Sequence, residues 1–192
     1  MTDNIDIETH PWEPFIPPHA RVLIMGTFPP AAKRWCMDFY YPNRTNDFWY
    51  MMGLIFFNDK YALTTDDHRA FKLDFIIQLL KEKGIAMNDT AYKVRRLMGN
   101  ASDKYLDIVE PTDIYGLLAL MPECHTIATT GEKAAGVVAQ QTHSLPPRMG
   151  QMVTTDSGLE IWRMPSTSRA YPLALEKKAE YYATMFRHIG II

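Results

Sequence analysis

Short apolar runs alternate with amphipathic stretches along this chain, and that alternation leaves few folds open. Arg21–Gly26, RVLIMG, is an apolar run closed by a glycine. Such a run reads as a central strand, buried on both faces and entering a tight loop. HTIATT (His125–Thr130) and LEIWRM (Leu159–Met164) are equally short, and Gly131 and Pro165 end them. GIAMNDTA, from Gly84, reads as a further strand with its exit loop. Helical spacing fills the intervals. Thr45-Asn46-Asp47 opens a segment with Phe48, Met51, Met52 and Ile55 on one face, and Asn46 or Thr45 is its expected N-cap. Asp67–Lys83 predicts a helix that buries Phe71, Phe75, Ile76, Leu79 and Leu80 and stops at Gly84. Thr112–Met121, EKAAGVVAQQ and Leu173–His188 read as three more helices. Strands alternating with helices predict an α/β fold: a three-layer α/β/α sandwich on a mostly parallel sheet of about four to five strands.

Length and composition set the outer limits. The 192 residues fit one domain, with residues 1–20 as an extended arm punctuated by Pro11, Pro14, Pro17 and Pro18 and laid over the surface. Hydrophobic residues make up 47% of the chain, and 22 acids nearly balance 20 lysines and arginines, which excludes intrinsic disorder. The longest apolar run, Phe48 to Phe57, is too short for a bilayer span of about twenty residues. Cys36 and Cys124 stand far apart with no CxxC spacing, as in a reduced intracellular protein. MTDNIDIETHPWEP has neither a basic nor an apolar signal region, so the expected location is the cytoplasm. A net charge of −2 argues against bulk wrapping of nucleic acid and leaves room for a local basic patch. The six histidines show no HxxxH or HxE pairing. No metal or cofactor is therefore expected, and the chain is expected to act as a monomer.

In parallel sheets, chemistry collects in loops at the carboxyl ends of strands. That directs attention to the loops after Gly26, Met87 and Met164. The first, GTFPPAAKRW, lacks the glycine pattern of a dinucleotide or P-loop site. FYYPNRTNDFW, downstream of it, combines aromatics, amides and an arginine. It reads either as a loop packed by its own rings with an asparagine helix cap, or as a slot for a flat ring with edge-reading amides. MPSTSRAYP reads either as an ordinary polar turn or as a holder of phosphate oxygens through hydroxyls, backbone amides and Arg169.

Taken together, these loops resemble the uracil-DNA glycosylase superfamily, in particular its mismatch-specific and hypoxanthine-DNA glycosylase branches. GTFPP after a strand is similar to that superfamily's first motif. YYPNRTNDFW resembles its aromatic–x–His–Pro–x–Asn–x–Phe–Trp stretch, and PSTSRAYPLALEKKAEYY resembles its second motif. GIAMNDTA and TTGEKA fall where those branches carry comparable segments, so the likeness runs from about Arg21 to His188. It implies a base-excision repair enzyme that flips a deaminated base, uracil or hypoxanthine, out of DNA and hydrolyses its N-glycosidic bond. By the same resemblance Asn46 is a catalytic residue, and because an amide presents both a donor and an acceptor, Asn46 with Asn43 is expected to position the water. Tyr41 stacks on the base, and Gly26, Thr27, Phe28, Asn88 and Asp89 bind it. Ser166, Thr167, Ser168 and Arg169 grip the DNA backbone, with Lys33 and Arg34 as further phosphate partners. Two positions depart from the pattern. Phe28 stands where the mismatch branch has asparagine, although the hypoxanthine-type pattern also has phenylalanine there. Asn43-Arg44 stands where the second stretch has His-Pro.

Three other readings remain open on the residues alone. One is a nucleobase or DNA-binding module on the same fold without turnover. Another is a hydrolase built on Cys36 or Cys124 with a histidine. The last is a purely structural α/β protein.

Overall fold

A computed structural model of the chain describes residues 6–97 and 105–192. Its strands are, in chain order, β1 (Ile7–Thr9), β2 (Val22–Gly26), β3 (Ile85–Asp89), β4 (Ala91–Arg96), β5 (Leu106–Pro111), β6 (Thr126–Thr130), β7 (Met152–Thr154) and β8 (Glu160–Met164). Its α-helices are α1 (Phe48–Phe57), α2 (Leu73–Lys83), α3 (Ile114–Ala119), α4 (Glu132–Gln141) and α5 (Leu175–His188).

The main sheet has the order β3-β2-β6-β8-β7, parallel except for β7. Every residue of β2, β3 and β6 is buried, because helices cover both faces and no side of these strands meets water. The two-residue period of the strand divides the core. Val22 and Ile24 pack with α1, α2 and α5, whereas Leu23 and Met25 pack with α3 and α4. The result is the three-layer α/β/α arrangement that the strand–helix alternation predicts. Among the described residues no helix is long and apolar enough to cross a membrane.

A second, antiparallel sheet of order β1-β4-β5 was not expected. Its strands are short and rich in charge, because one face carries ion pairs such as Lys93–Glu110 at 2.6 Å and Arg95–Asp107 at 3.3 Å. The N-terminal segment is accordingly more than a surface arm. It contributes β1, sends His10 into the interior, and exchanges two backbone hydrogen bonds between Phe15 and Met87 at 3.0 and 2.9 Å.

Two helix starts also differ from expectation. Asp67–Lys72 is not helical: Thr64 pairs with Phe71, and α2 begins only at Leu73. Phe75 is 37% exposed, outside the core face. Gly84 ends α2 in the left-handed conformation, φ 65°, as predicted. At α1 the residue before the first turn is Asp47, whose side chain makes no capping bond. Instead Asn46 Oδ1 accepts from Phe48 N at 2.9 Å, so Asn46 satisfies the helix start from one position further out.

Candidate functional site

The loops at the carboxyl ends of the parallel strands enclose a cleft of about 690 Å³. One wall is Gly26–Pro30 after β2, and the facing wall is Ser166–Pro172 after β8. Tyr41–Asn43, Thr45 and Asn46, with Asp89 from β3 and Thr130 from β6, complete the lining. Of the residues the sequence singled out, the cleft brings together Gly26, Thr27, Phe28, Arg34, Tyr41, Asn43, Asn46, Asp89 and Ser166 through Arg169.

Asn88 and Lys33 lie elsewhere. Successive strand residues face opposite ways, so only one of Asn88 and Asp89 can reach the cleft. Asn88 turns away, and its Oδ1 accepts from the Tyr40 hydroxyl at 3.0 Å. The expectation that Asn88 binds a base edge is thereby corrected. Lys33, in the exposed 3-10 turn Ala32–Arg34, does not line the cleft, whereas Arg34 of the same turn does.

An ion cluster joins the wall after β8 to the segment before α1. Asp47 Oδ2 receives Lys178 Nζ at 2.8 Å, and Asp47 Oδ1 receives Arg169 Nε at 3.0 Å. Backbone pairing adds to it: Asp47 N donates to Thr167 O at 2.8 Å, and Asn46 bridges Ser168. The segment before α1 and the loop after β8 are thus fastened to each other. Sequence reading missed Asp47 and Lys178. Lys178 sits in a helix rich in charge, and nothing in the pattern distinguishes it from its solvated neighbours.

Tyr41 has φ 52°, in the left-handed region that costs a non-glycine residue about 1 kcal/mol or more. Its ring stacks on Phe48 with centroids 3.9 Å apart and planes at 11°, and its hydroxyl lies 2.8 Å from Thr130 Oγ1. The surroundings hold the ring in one orientation at the cleft. Both asparagines have their carbonyl oxygens turned to their own backbone. Asn43 Oδ1 accepts from Thr45 N and Thr45 Oγ1, each at 2.9 Å, as Asn46 Oδ1 does from Phe48 N. Their NH₂ ends are the donors that remain.

Asp89 is the carboxylate that lines the cleft among the described residues. Its Oδ2 meets His10 Nε2 at 2.9 Å, with both side chains almost wholly buried. Burial pulls the His10 imidazole toward neutrality. The hydrogen bond and negative charge of Asp89 outweigh it and raise the imidazole above its ordinary value of 6.5. Tyr40 stacks on one side of His10, and Phe28 meets it edge-on. A lone histidine in a proline-rich arm carries no spacing signal, which is why sequence reading passed over it. The thiols offer little nucleophilicity: burial pushes Cys124 up to about 11 and raises Cys36 as well. No group of three or more His, Cys, Asp or Glu side chains gathers as a metal site among the described residues.

No family model matches this chain, and neither does any curated protein. Among solved structures it is similar to the solution NMR structure of a candidate uracil DNA glycosylase from Methanosarcina acetivorans. The TM-score is 0.66 and the identity 20%, over 96% of this chain and 99% of that one. At that identity the likeness establishes a shared α/β fold.

Proposed function

We propose that the chain forms a single DNA glycosylase domain that hydrolyses the N-glycosidic bond of a deaminated base, uracil or hypoxanthine, swung out of DNA. The observation that carries this reading is the cleft itself, in which a rigidly held aromatic, two amides and a hydroxyl-rich loop with an arginine surround a space of about 690 Å³. That volume falls within the 300–1,000 Å³ range roughly typical of small-molecule pockets.

Breaking the bond builds positive charge on the sugar and negative charge on the departing base. Preorganised donors lower the barrier by meeting that negative charge. Backbone N–H groups at Gly26–Phe28 and the NH₂ groups of Asn43 and Asn46 are suited to this and to holding water. Flipping costs a few kcal/mol, least at a mismatch. Stacking on Tyr41 returns roughly 1–3 kcal/mol. Arg34 and the half-exposed Arg169 supply phosphate contacts with Ser166, Thr167 and Ser168, and Lys33, outside the cleft on the same turn as Arg34, can add only a contact to a more distant phosphate. With few such cations the salt dependence of binding is shallow.

A panel of duplexes carrying uracil, thymine, hypoxanthine or xanthine opposite each normal base tests the reading. Release of free base by the wild type, lost in Asn46→Ala, is expected. Absence of release from every duplex overturns it. One observation favours a second reading, a base-binding module without turnover: both asparagine carbonyls already serve their own backbone. Tight binding of lesion duplexes with no abasic product would establish that alternative.

A further inference from the structure

We infer that Asp89 is the catalytic carboxylate of this cleft and that His10, delivered by the N-terminal segment, is its positioning residue. This rests on the glycosylase reading and adds to it the group that takes the proton of water.

The asparagines direct attention to Asp89. A hydrolytic water needs an acceptor for the proton it loses, and the NH₂ ends of Asn43 and Asn46 can only donate. Among the described residues the carboxylate that lines the cleft is Asp89. Its two oxygens are divided: Oδ2 belongs to His10, while Oδ1 lies against Gly26, at 2.6 Å from where a side chain would begin there. Glycine at position 26 keeps that side open, and Tyr41 Oη borders the same spot at 3.1 Å. A carboxylate also suits the cationic side of the transition state, whereas beside the anionic base it would oppose the developing charge.

In the step, the water oxygen bonds to the sugar C1′ while its proton passes to Asp89 Oδ1. The C1′–N bond breaks, and its electron pair leaves on the base. The base anion then takes a proton from solvent, and Asp89 returns its own to solvent. Water is consumed, and neutral base and abasic sugar result.

His10 supplies what a carboxylate this buried lacks. Asp89 is 5% exposed, and an anion withdrawn so far from water needs a donor. His10 keeps Nε2–H on Asp89 in either charge state, because its Nδ1 has both partners at hand. Trp12 O lies at 2.9 Å for the protonated ring, and Trp12 N at 3.3 Å for the neutral one. The histidine therefore orients Asp89 without being consumed by its own titration.

The test is a double-mutant cycle on lesion-duplex cleavage with wild type, Asp89→Asn, His10→Gln and the double variant, each checked for folding by thermal melting. Asp89→Asn is expected to lower kcat by about 100-fold or more, the usual worth of a general base, and to leave KM nearly unchanged. His10→Gln is expected to lower kcat on the order of tenfold, as loss of one charge-assisted hydrogen bond does. In the Asp89→Asn background it should cost almost nothing more, because its effect passes through the carboxylate. Equal losses from His10→Gln in both backgrounds would make His10 merely structural and overturn its role. Full kcat in folded Asp89→Asn overturns the inference while leaving the glycosylase reading intact. Inert wild type overturns both.

Discussion

Lys178 Nζ lies 2.8 Å from Asp47 Oδ2 and 2.8 Å from Ser168 O, and its side chain is 0% exposed. The pair ties helix α5 to the residue preceding α1 and to the loop that forms one wall of the cleft. Breaking a buried ion pair by removing one partner costs about 3–5 kcal/mol when the other charge is left alone. Arg169 still pairs Asp47 in Lys178→Met, so a loss toward the lower end of that range is expected in urea unfolding, with faster amide exchange at Thr167–Ala170. Lys177→Met, whose Glu180 partner is exposed, should leave the unfolding midpoint nearly unchanged. Similar losses in the two variants would contradict the assignment.

Gly26→Ala places a methyl 2.6 Å from Asp89 Oδ1, and Asp89 cannot swing away without leaving His10. Overpacking of this kind costs about 1–3 kcal/mol. Denaturation midpoints should fall accordingly, with base release falling far more steeply than stability. Gly136→Ala, with open space around it in α4, serves as the control and should be neutral or stabilising.

Thr90 is wholly buried, and its Oγ1 has no hydrogen-bond partner. Thr129 is equally buried, but its Oγ1 donates to Trp162 O at 2.9 Å. An unpartnered buried hydroxyl is unfavourable by about 1–3 kcal/mol. Thr90→Val is therefore expected to be neutral or stabilising, while Thr129→Val destabilises by roughly 1 kcal/mol or more. Calorimetry of the two variants decides the matter, and the reverse order would refute it.

His10 makes stability depend on pH in a definite direction. Its folded value is raised, so the native state holds the proton more tightly than the unfolded chain does. The resulting stabilisation is complete below the ordinary value of 6.5 and fades as pH rises through the raised one. The difference in unfolding free energy between wild type and His10→Gln should be greatest on the acid side of that window and narrow above it. A constant difference across the window would show that the imidazole's charge contributes nothing.

The strands and helices legible in the sequence are those whose periodicity meets a uniform environment. β2, β3 and β6 are buried throughout, and α4 appears where EKAAGVVAQQ placed it. What escaped was set by tertiary pairing. Phe71 spends its backbone on Thr64 instead of a helix, and β4 and β5 are held by cross-strand charges that resemble a solvated loop in one dimension. The cleft follows the same division. Its loops could be placed by their position after strands, but the choice of Asp89 over Asn88 turns on strand parity. His10, Asp47 and Lys178 gain their meaning only from partners 79 and 131 positions away.

β3 is an outer strand of the five-stranded sheet, and such a strand ordinarily exposes free amides and carbonyls onto which a second molecule can zip. The Phe15–Met87 bridge occupies that row, and Pro14, Pro17 and Pro18 beside it lack the N–H needed to extend the pairing. The N-terminal segment thus works as a stopper against intermolecular stacking, so its removal would leave the molecule with an adhesive flank.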